Sequence, residues 1–472
     1  MNDDAPRAKS VAVNSLLEDA ARRSAAYLDS LAQRPVRPDP AAVRRLARLD
    51  EPLPHGPTDP TDVIALLDDL VAPATMATAG PRFFGFVIGG SLPAALAANW
   101  LATAWDQNAC LAKVTPGVAQ VEEVALRWLV DVLGLPPQTE GAFVTGATMA
   151  NFTALAAARH VVLSRAGWNV EADGLFGAPP ITVIVGDEAH PTLLKSLGLL
   201  GLGRNRVVRV PTDHRGRMRA DRLPRMAGPT IVCVQAGNIN TGEFDPFDAI
   251  CPIARAAGAW VHIDGAFGLW ARAAPQLAAL ADGVELADSW ATDAHKWLNV
   301  PYDSGLAFVR EPGALPSAMA ITADYLPVHD AERSPADFTP ELSRRARGVE
   351  VWAALRSLGR SGLGEMFERN CRQARRFAEL LGAAGYEILN DVVLNQVLVS
   401  FGPADTTLRV IDAIQADGTC WCGGTVWQGR TAMRISVCSW ATTDADVERS
   451  ATAMLQAASA VAGCPPGKSR NL

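Results

Sequence analysis

The chain has 472 residues, of which 43 are Lys or Arg and 50 are Asp or Glu, giving a formal net charge of −7. That length is ample for a large core and suggests one large domain with a smaller one, or two domains. The charge balance excludes the basic face that nucleic acid or anionic lipid would require, and it favours a small-molecule substrate.

Eight cysteines are scattered without a CxxC unit, and the start "MNDDAPRAKS" has no apolar signal stretch, so a reduced, cytoplasmic protein is expected. Cys420 and Cys422 form a lone CxC with no second cluster at zinc-like spacing, and no metal is expected. The longest apolar stretches, such as "LPAALAANWLATAW" at 92–105, are too short or too interrupted to cross a bilayer.

In chain order, "VNSLLEDAARRSAAYLDSLAQ" has helical periodicity and is followed by the Pro-studded "RPVRPDP" and "EPLPHGPTDPTD". Residues 1–80 therefore read as a helical arm with little to bury by itself. A helix over "GVAQVEEVALRWLVDVLGLP" comes next, and then "GAFVTGATMANFTALAAARHVVLSRAG", an apolar strand that breaks into a glycine turn and a long helix. The runs "ITVIVGDEAH", "RVVRVPTD", "TIVCVQAG", "AWVHIDGA" and "GLAFVREP" are mostly continuous and β-branched, with helical patterns between several of them. Such runs predict a mainly parallel α/β sheet covered on both faces. After about residue 345, the helix "VEVWAALRSLG", the strands "LNQVLVSFG" and "TAMRISVCSW" and the closing helix "DADVERSATAMLQAAS" predict a smaller α+β domain over 346–472.

Chemistry concentrates in the middle third. In "ATDAHKWLNV" a lysine, Lys296, stands in a run that is otherwise mostly small or apolar. Desolvation there would lower its pKa and free the amine to attack a carbonyl, which is what a Schiff-base lysine needs. Asp264 ends the apolar strand of "WVHIDGAFG", at the carboxyl edge where open α/β sheets bind ligands. A carboxylate buried there needs a cationic or donor partner, and a protonated pyridine nitrogen is one. The Gly146-Ala147-Thr148 turn precedes a helix, whose first amides can hold a phosphate. His190 closes another strand at the same edge, and its flat ring can stack on a flat cofactor. Pyridoxal 5'-phosphate accounts for all four features, with its aldehyde on Lys296, its ring nitrogen on Asp264 and its phosphate near Ala147 and Thr148.

These residues resemble the group II pyridoxal-phosphate amino-acid decarboxylases, relatives of aromatic L-amino-acid and glutamate decarboxylases. The match lies in "DAHKWLNVPYDSG", "HIDGAFG", "DEAHPTLLKSLGLLGLG" and "TGEFDPF", in the family's order and spacing, and extends from about residue 75 to the C-terminus. The resemblance implies the aspartate-aminotransferase fold type I, an α/β fold with a mainly parallel seven-stranded sheet in a large domain over 81–345. It also implies decarboxylation of an L-amino acid to the amine and carbon dioxide, in a homodimer with shared active sites whose arm wraps the partner subunit. Carried over by position, Lys296 is the Schiff-base lysine, Asp264 the pyridinium partner, Ala266 a contact on the ring face and His190 the stacking base. Asp293 and His295 stand near the phosphate with Ala147 and Thr148, and Asn238 stands near the cofactor where the family usually has a threonine.

The loop that carries a proton-donating tyrosine in many decarboxylases is short here. It offers Tyr325 and Phe338, while Tyr302 is the other phenol near the site in a chain of four tyrosines. The resemblance implies that, as in relatives with phenylalanine at that loop position, oxygen can capture the intermediate and give an aldehyde. Phe86, with Val87, Ile88 and Gly89, makes an apolar pocket segment that suits an aromatic or aliphatic substrate better than an acidic one. Arg347 fits a structural ion pair, and Arg434 a substrate carboxylate. The competing readings are an aldehyde-forming oxidative decarboxylase, an aminotransferase or another lyase on the same fold, and a non-catalytic scaffold.

Overall fold

The computed structural model describes residues 4–321 and 333–463. Its N-terminal part is helical, comprising α1 (Asp4–Ser30), α2 (Pro40–Arg45), α3 (Pro60–Val71), α4 (Pro93–Trp105) and α5 (Pro116–Val132). The prolines of this region start helices as well as interrupting them. Each of α2 to α5 begins on a proline, whose fixed φ suits the first helical position and whose missing N–H is not needed there. Asp39 and Asp59 cap two of these starts, accepting from Ala41 N at 2.6 Å and Thr61 N at 2.8 Å.

The central part alternates strands and helices. It runs β1 (Glu140–Val144), α6 (Ala147–Ser164), α7 (Val170–Asp173), β2 (Thr182–Gly186), α8 (Pro191–Leu199), β3 (Val208–Val210) and β4 (Thr230–Gln235). It continues through α9 (Phe247–Ala256), β5 (Trp260–Asp264), β6 (Ser289–Asp293), β7 (Gly305–Val309) and α10 (Ala314–Met319). The strands form the expected seven-stranded sheet, in the order β1-β7-β6-β5-β4-β2-β3. Only β7 runs against its neighbours β1 and β6, and the other pairs are parallel.

Every residue of β5, β6 and β7 is buried, because both faces of the sheet are covered. On one face Val261, Ile263 and Trp290 pack with Leu126 and Leu129 of α5 and Ile250 of α9. On the other, Cys233, Trp260 and Ala291 pack with Ala154 and Ala157 of α6 and Leu193 of α8. The small residues of α6 let that helix lie close across β5, β6 and β7. Asp264 and Asp293 thus emerge together at the carboxyl ends of adjacent parallel strands.

The C-terminal part comprises α11 (Gly348–Ala383), β8 (Glu387–Ile388), β9 (Gln396–Ser400), α12 (Ala404–Asp417), β10 (Gly423–Trp427), β11 (Arg430–Ser436) and α13 (Asp444–Ala462). Its strands form a second, antiparallel sheet in the order β10-β11-β9-β8. A capping box starts α13, with Thr443 and Asp446 each accepting the other's backbone N–H. The long α11 joins the two cores. Val351, Leu355 and Phe367 pack with the large sheet, whereas Ala374, Phe377 and Leu381 pack with the small one.

Candidate active site

Lys296 lies in the turn that follows β6, and its Nζ donates to Asp293 Oδ2 at 2.8 Å. The surroundings of this amine are therefore not purely apolar, as the sequence suggested, because a carboxylate balances its charge. The turn is braced from several sides. Asn299 takes a left-handed backbone conformation, φ 59°, and its side chain donates to Trp297 O at 2.6 Å and Cys438 O at 2.9 Å. Its Oδ1 accepts from Trp440 N at 2.9 Å, and its backbone O accepts from Leu92 N at 2.7 Å. Trp297, fully buried, donates to Asn370 Oδ1 at 3.0 Å. Gly89 passes so close that a Cβ there would lie 2.1 Å from Lys296 O, so the segment of Phe86 to Gly89 runs beside the lysine turn.

Asp293 also touches the N-terminus of α6, where its Oδ1 accepts from Ala147 N at 2.5 Å. The amides of Thr148 and Met149 make no hydrogen bond among the described residues, as the first turn of a helix leaves them. The backbone is tight here. A Cβ on Gly305 would meet Gly146 Cα at 2.4 Å, and one on Gly146 would meet His295 Cε1 at 3.1 Å. His295 is held by Ser304 N, which donates to its Nδ1 at 3.0 Å. The half-exposed Tyr302 stacks on the His295 ring with centroids 4.3 Å apart. Burial lowers the His295 pKa, with the Asp293 carboxylate acting the other way.

Asp264 ends β5 with only 4 % of its surface exposed. Its Oδ1 accepts from Ala266 N and its Oδ2 from Asn151 Nδ2, both at 3.2 Å. His190 caps α8, its Nδ1 accepting from Thr192 N at 3.3 Å and lying 2.7 Å from Thr192 Oγ1. Accepting at Nδ1 leaves the proton on Nε2. Burial lowers the His190 pKa most; Lys296 and Arg434 lower it further, and Asp264 and Asp293 oppose them. All four charges therefore lie within electrostatic reach of one neutral imidazole. Ala189, His190, Cys233, Gln235 and Asp264 line a common cleft.

The other residues singled out from sequence divide. Phe86 is 62 % exposed with φ 53°. It stacks on Trp421 at 5.9 Å, and Trp421 stacks on Phe83 at 5.1 Å. Arg347 pairs with Asp303 Oδ1 at 2.9 Å. Arg434, on β11, makes no hydrogen bond or ion pair with its guanidinium among the described residues. Asn238 Oδ1 accepts from Asn240 N at 2.8 Å and Thr241 N at 3.2 Å, so it shapes its own turn, while its buried Nδ2 has no hydrogen-bond partner among the described residues. Phe338 is 8 % exposed in the core cluster on the α6 face, with the Arg333 guanidinium 3.9 Å over its ring. Tyr325 lies outside the described residues.

Sequence reasoning missed Asn151 and His262. His262 Nε2 lies 2.8 Å from Asn151 Oδ1, and His262 Nδ1 lies 2.9 Å from Ser289 Oγ, which accepts from Trp260 Nε1 at 2.8 Å. The signal was present: Trp260, His262 and Asp264 alternate along one strand and so share a face.

A profile of the pyridoxal-dependent decarboxylase conserved domain matches residues 40–402. The chain is 28 % identical to tryptophan decarboxylase 1 of Oryza sativa subsp. japonica, over 90 % of this chain and 89 % of that one. It is 26 % identical to the aromatic-L-amino-acid decarboxylase of Bacillus atrophaeus, over 76 % and 75 % of the two chains. A crystal structure of Oryza sativa TDC with PLP and tryptamine matches with a TM-score of 0.87 at 23 % identity, covering 98 % of this chain and 99 % of that one.

Proposed function

Because the chain belongs to the pyridoxal-dependent decarboxylase family, we propose that it removes the α-carboxyl group of an L-amino acid with an aromatic side chain, releasing carbon dioxide and the amine. Pyridoxal 5'-phosphate is its cofactor, and the enzyme is a carboxy-lyase. What carries the reading is the gathering of Lys296, Asp264 and His190 at one sheet edge, next to unpaired amides at the start of α6.

The residues fit the cofactor. Thr148 and Met149 have amides to give to a phosphate, Gly146 and Gly305 approach each other too closely for a Cβ on Gly305, and Asp264 has no cation among its hydrogen-bond partners in the described residues. When bound, the cofactor supplies an aldehyde that condenses with amines and an electron-poor ring that takes up the electron pair freed as the carboxylate leaves. Lys296 would supply the amine that holds the aldehyde, and Asp264 would pair with the ring nitrogen and favour its protonated form. His190, kept neutral, offers its ring face without adding a charge. Asp293, His295, Ala147 and Thr148 would hold the phosphate, and Ala266 would lie against the ring.

Arg434 supports a site for the substrate carboxylate, since a largely buried guanidinium without a partner is stabilised by an arriving anion. The exposed Phe86 and its Trp421 platform, beside the Lys296 turn, support an aromatic side chain. The names of the rice and Bacillus relatives point the same way. The test is product analysis by mass spectrometry with purified, cofactor-loaded protein across the common amino acids. An aromatic amine with one carbon dioxide is expected. Product from acidic amino acids only, or an aldehyde with oxygen uptake, would overturn the reading. Lys296→Ala is expected to lose the cofactor's colour and at least about a thousandfold in rate.

A homodimer is part of the proposal. Leu17, Leu28, Leu66, Leu67, Trp100 and Leu101 of α1, α3 and α4 are exposed, an apolar surface on three adjoining helices of the kind a partner subunit covers. No helix among the described residues is long and apolar enough to cross a membrane. The seven cysteines among the described residues are free and buried, which suits a reducing compartment, in keeping with the cytoplasm.

A further inference from the structure

Asp264 stands at the end of a hydrogen-bonded chain whose direction is determined at every link. A carboxylate only accepts, so Asn151 Nδ2 donates to Asp264 Oδ2 at 3.2 Å and Asn151 Oδ1 is turned toward His262 Nε2 at 2.8 Å. An amide oxygen also only accepts, so His262 carries its proton on Nε2 and leaves Nδ1 bare. That bare nitrogen takes the hydroxyl hydrogen of Ser289 at 2.9 Å, and Ser289 Oγ in turn accepts the Trp260 indole N–H at 2.8 Å. Four donors thus point the same way, toward the carboxylate, and bonds aligned like this polarise one another.

The placement follows from the backbone. Trp260, His262 and Asp264 share one face of β5, Ser289 is the register partner of His262 on β6, and Asn151 sits one turn into α6, which crosses both strands. Asn151, His262 and Ser289 have no exposed surface, and Trp260 has 1 %. Asp264 has only two hydrogen-bond donors among the described residues, this asparagine and the Ala266 amide, and neither is charged. A carboxylate so deeply buried depends on both. Burial also pushes the His262 pKa down to about 3, so the chain stays neutral and leaves the counter-charge to the cofactor.

We propose that Trp260, Ser289, His262 and Asn151 are positioning residues that hold Asp264 ionised and aimed at the cofactor's ring nitrogen. The proposal rests on the reading above that Asp264 pairs with that nitrogen. None of the four needs to touch the cofactor. Their effect is felt at the nitrogen alone, which distinguishes it from a general contribution to folding.

The full chain is stripped of cofactor and reloaded either with pyridoxal 5'-phosphate or with the carbocyclic analogue in which CH replaces the ring nitrogen, and both dissociation constants are measured. Wild type should prefer the natural cofactor. Asn151→Ala should shrink that preference by about tenfold or more, the worth of one hydrogen bond to a charged group, while analogue affinity hardly changes. Equal loss for both cofactors would mean a merely structural role and would sink the proposal. Should Asn151→Ala fail to fold, Ser289→Ala, which removes one oxygen from the far end of the chain, decides in its place. A reduced preference supports the proposal and an unchanged one overturns it. Asp264→Ala separates the two levels of the argument: if it keeps the wild-type preference, the pairing of Asp264 with the nitrogen is itself wrong, and the chain of donors falls with it.

Discussion

Burial lowers the pKa of His190, His262 and His295, and each neutral ring is used differently. His190 accepts from the first turn of α8 and keeps its proton on Nε2. His295 accepts from Ser304 N and stacks on Tyr302. His262 passes a hydrogen bond toward Asp264. The last has a measurable consequence for stability. The unfolded imidazole binds a proton near 6.5, but the folded one does so only near 3. Between those values the unfolded chain binds more protons, so this residue's contribution falls as pH is lowered through the window and is constant above it. His262→Gln has no such titration. The melting temperature of wild type relative to this variant should therefore drop as pH decreases below 6.5 and stay level above it. A flat difference across that range would mean that the ring is not held neutral. At Asp264 the expected effect is on turnover: Asp264→Ala should lower kcat by roughly a hundredfold or more, with a smaller loss of cofactor affinity. Steady-state rates alongside cofactor titration would check it.

At the scale of elements, α11 carries the clearest local exception. Gly359 kinks α11 between two helical stretches, at φ 60°, ψ −177°, a conformation open essentially to glycine alone. A Cβ there would meet nothing within 4 Å, so only the backbone resists substitution. Gly359→Ala should cost about 1–3 kcal/mol, read as a lowered denaturation midpoint. The continuous apolar runs that became β2, β4, β5 and β7 were legible in the sequence because strands buried on both faces need little else. β6 was not, since Ser289, Thr292 and Asp293 make "SWATD" look polar although every one of its residues is buried. Its polar groups belong to the site: Ser289 bonds His262, and Asp293 bonds Ala147 and Lys296. The same logic separates the site residues. Lys296, Asp264 and His190 stand out as ionisable groups next to apolar runs, whereas Asn151 is one small polar residue in an alanine-rich helix and gains meaning only when α6 crosses β5. Phe338 shows how an aromatic residue near a loop can also pack in the core, which the sequence alone does not reveal.

For the whole molecule, the exposed apolar residues of α1, α3 and α4 bear on assembly. In solution the protein should have twice the 50.0 kDa mass of the chain by light scattering. Trp100→Glu with Leu101→Glu should shift it toward the single-chain mass, because a charge on each exposed apolar position disfavours its burial. A wild-type protein of single-chain mass would contradict the dimer. Asn299 has a reach of another kind. Through its side chain and backbone it binds Leu92, Trp297, Cys438 and Trp440 at once, so the lysine turn is fastened to a stretch near the end of the chain. A growing polypeptide that has already completed all seven strands of the large sheet still lacks two of those fastenings. The lysine turn is therefore fully braced only once the segment around Cys438 and Trp440 has docked against the large sheet.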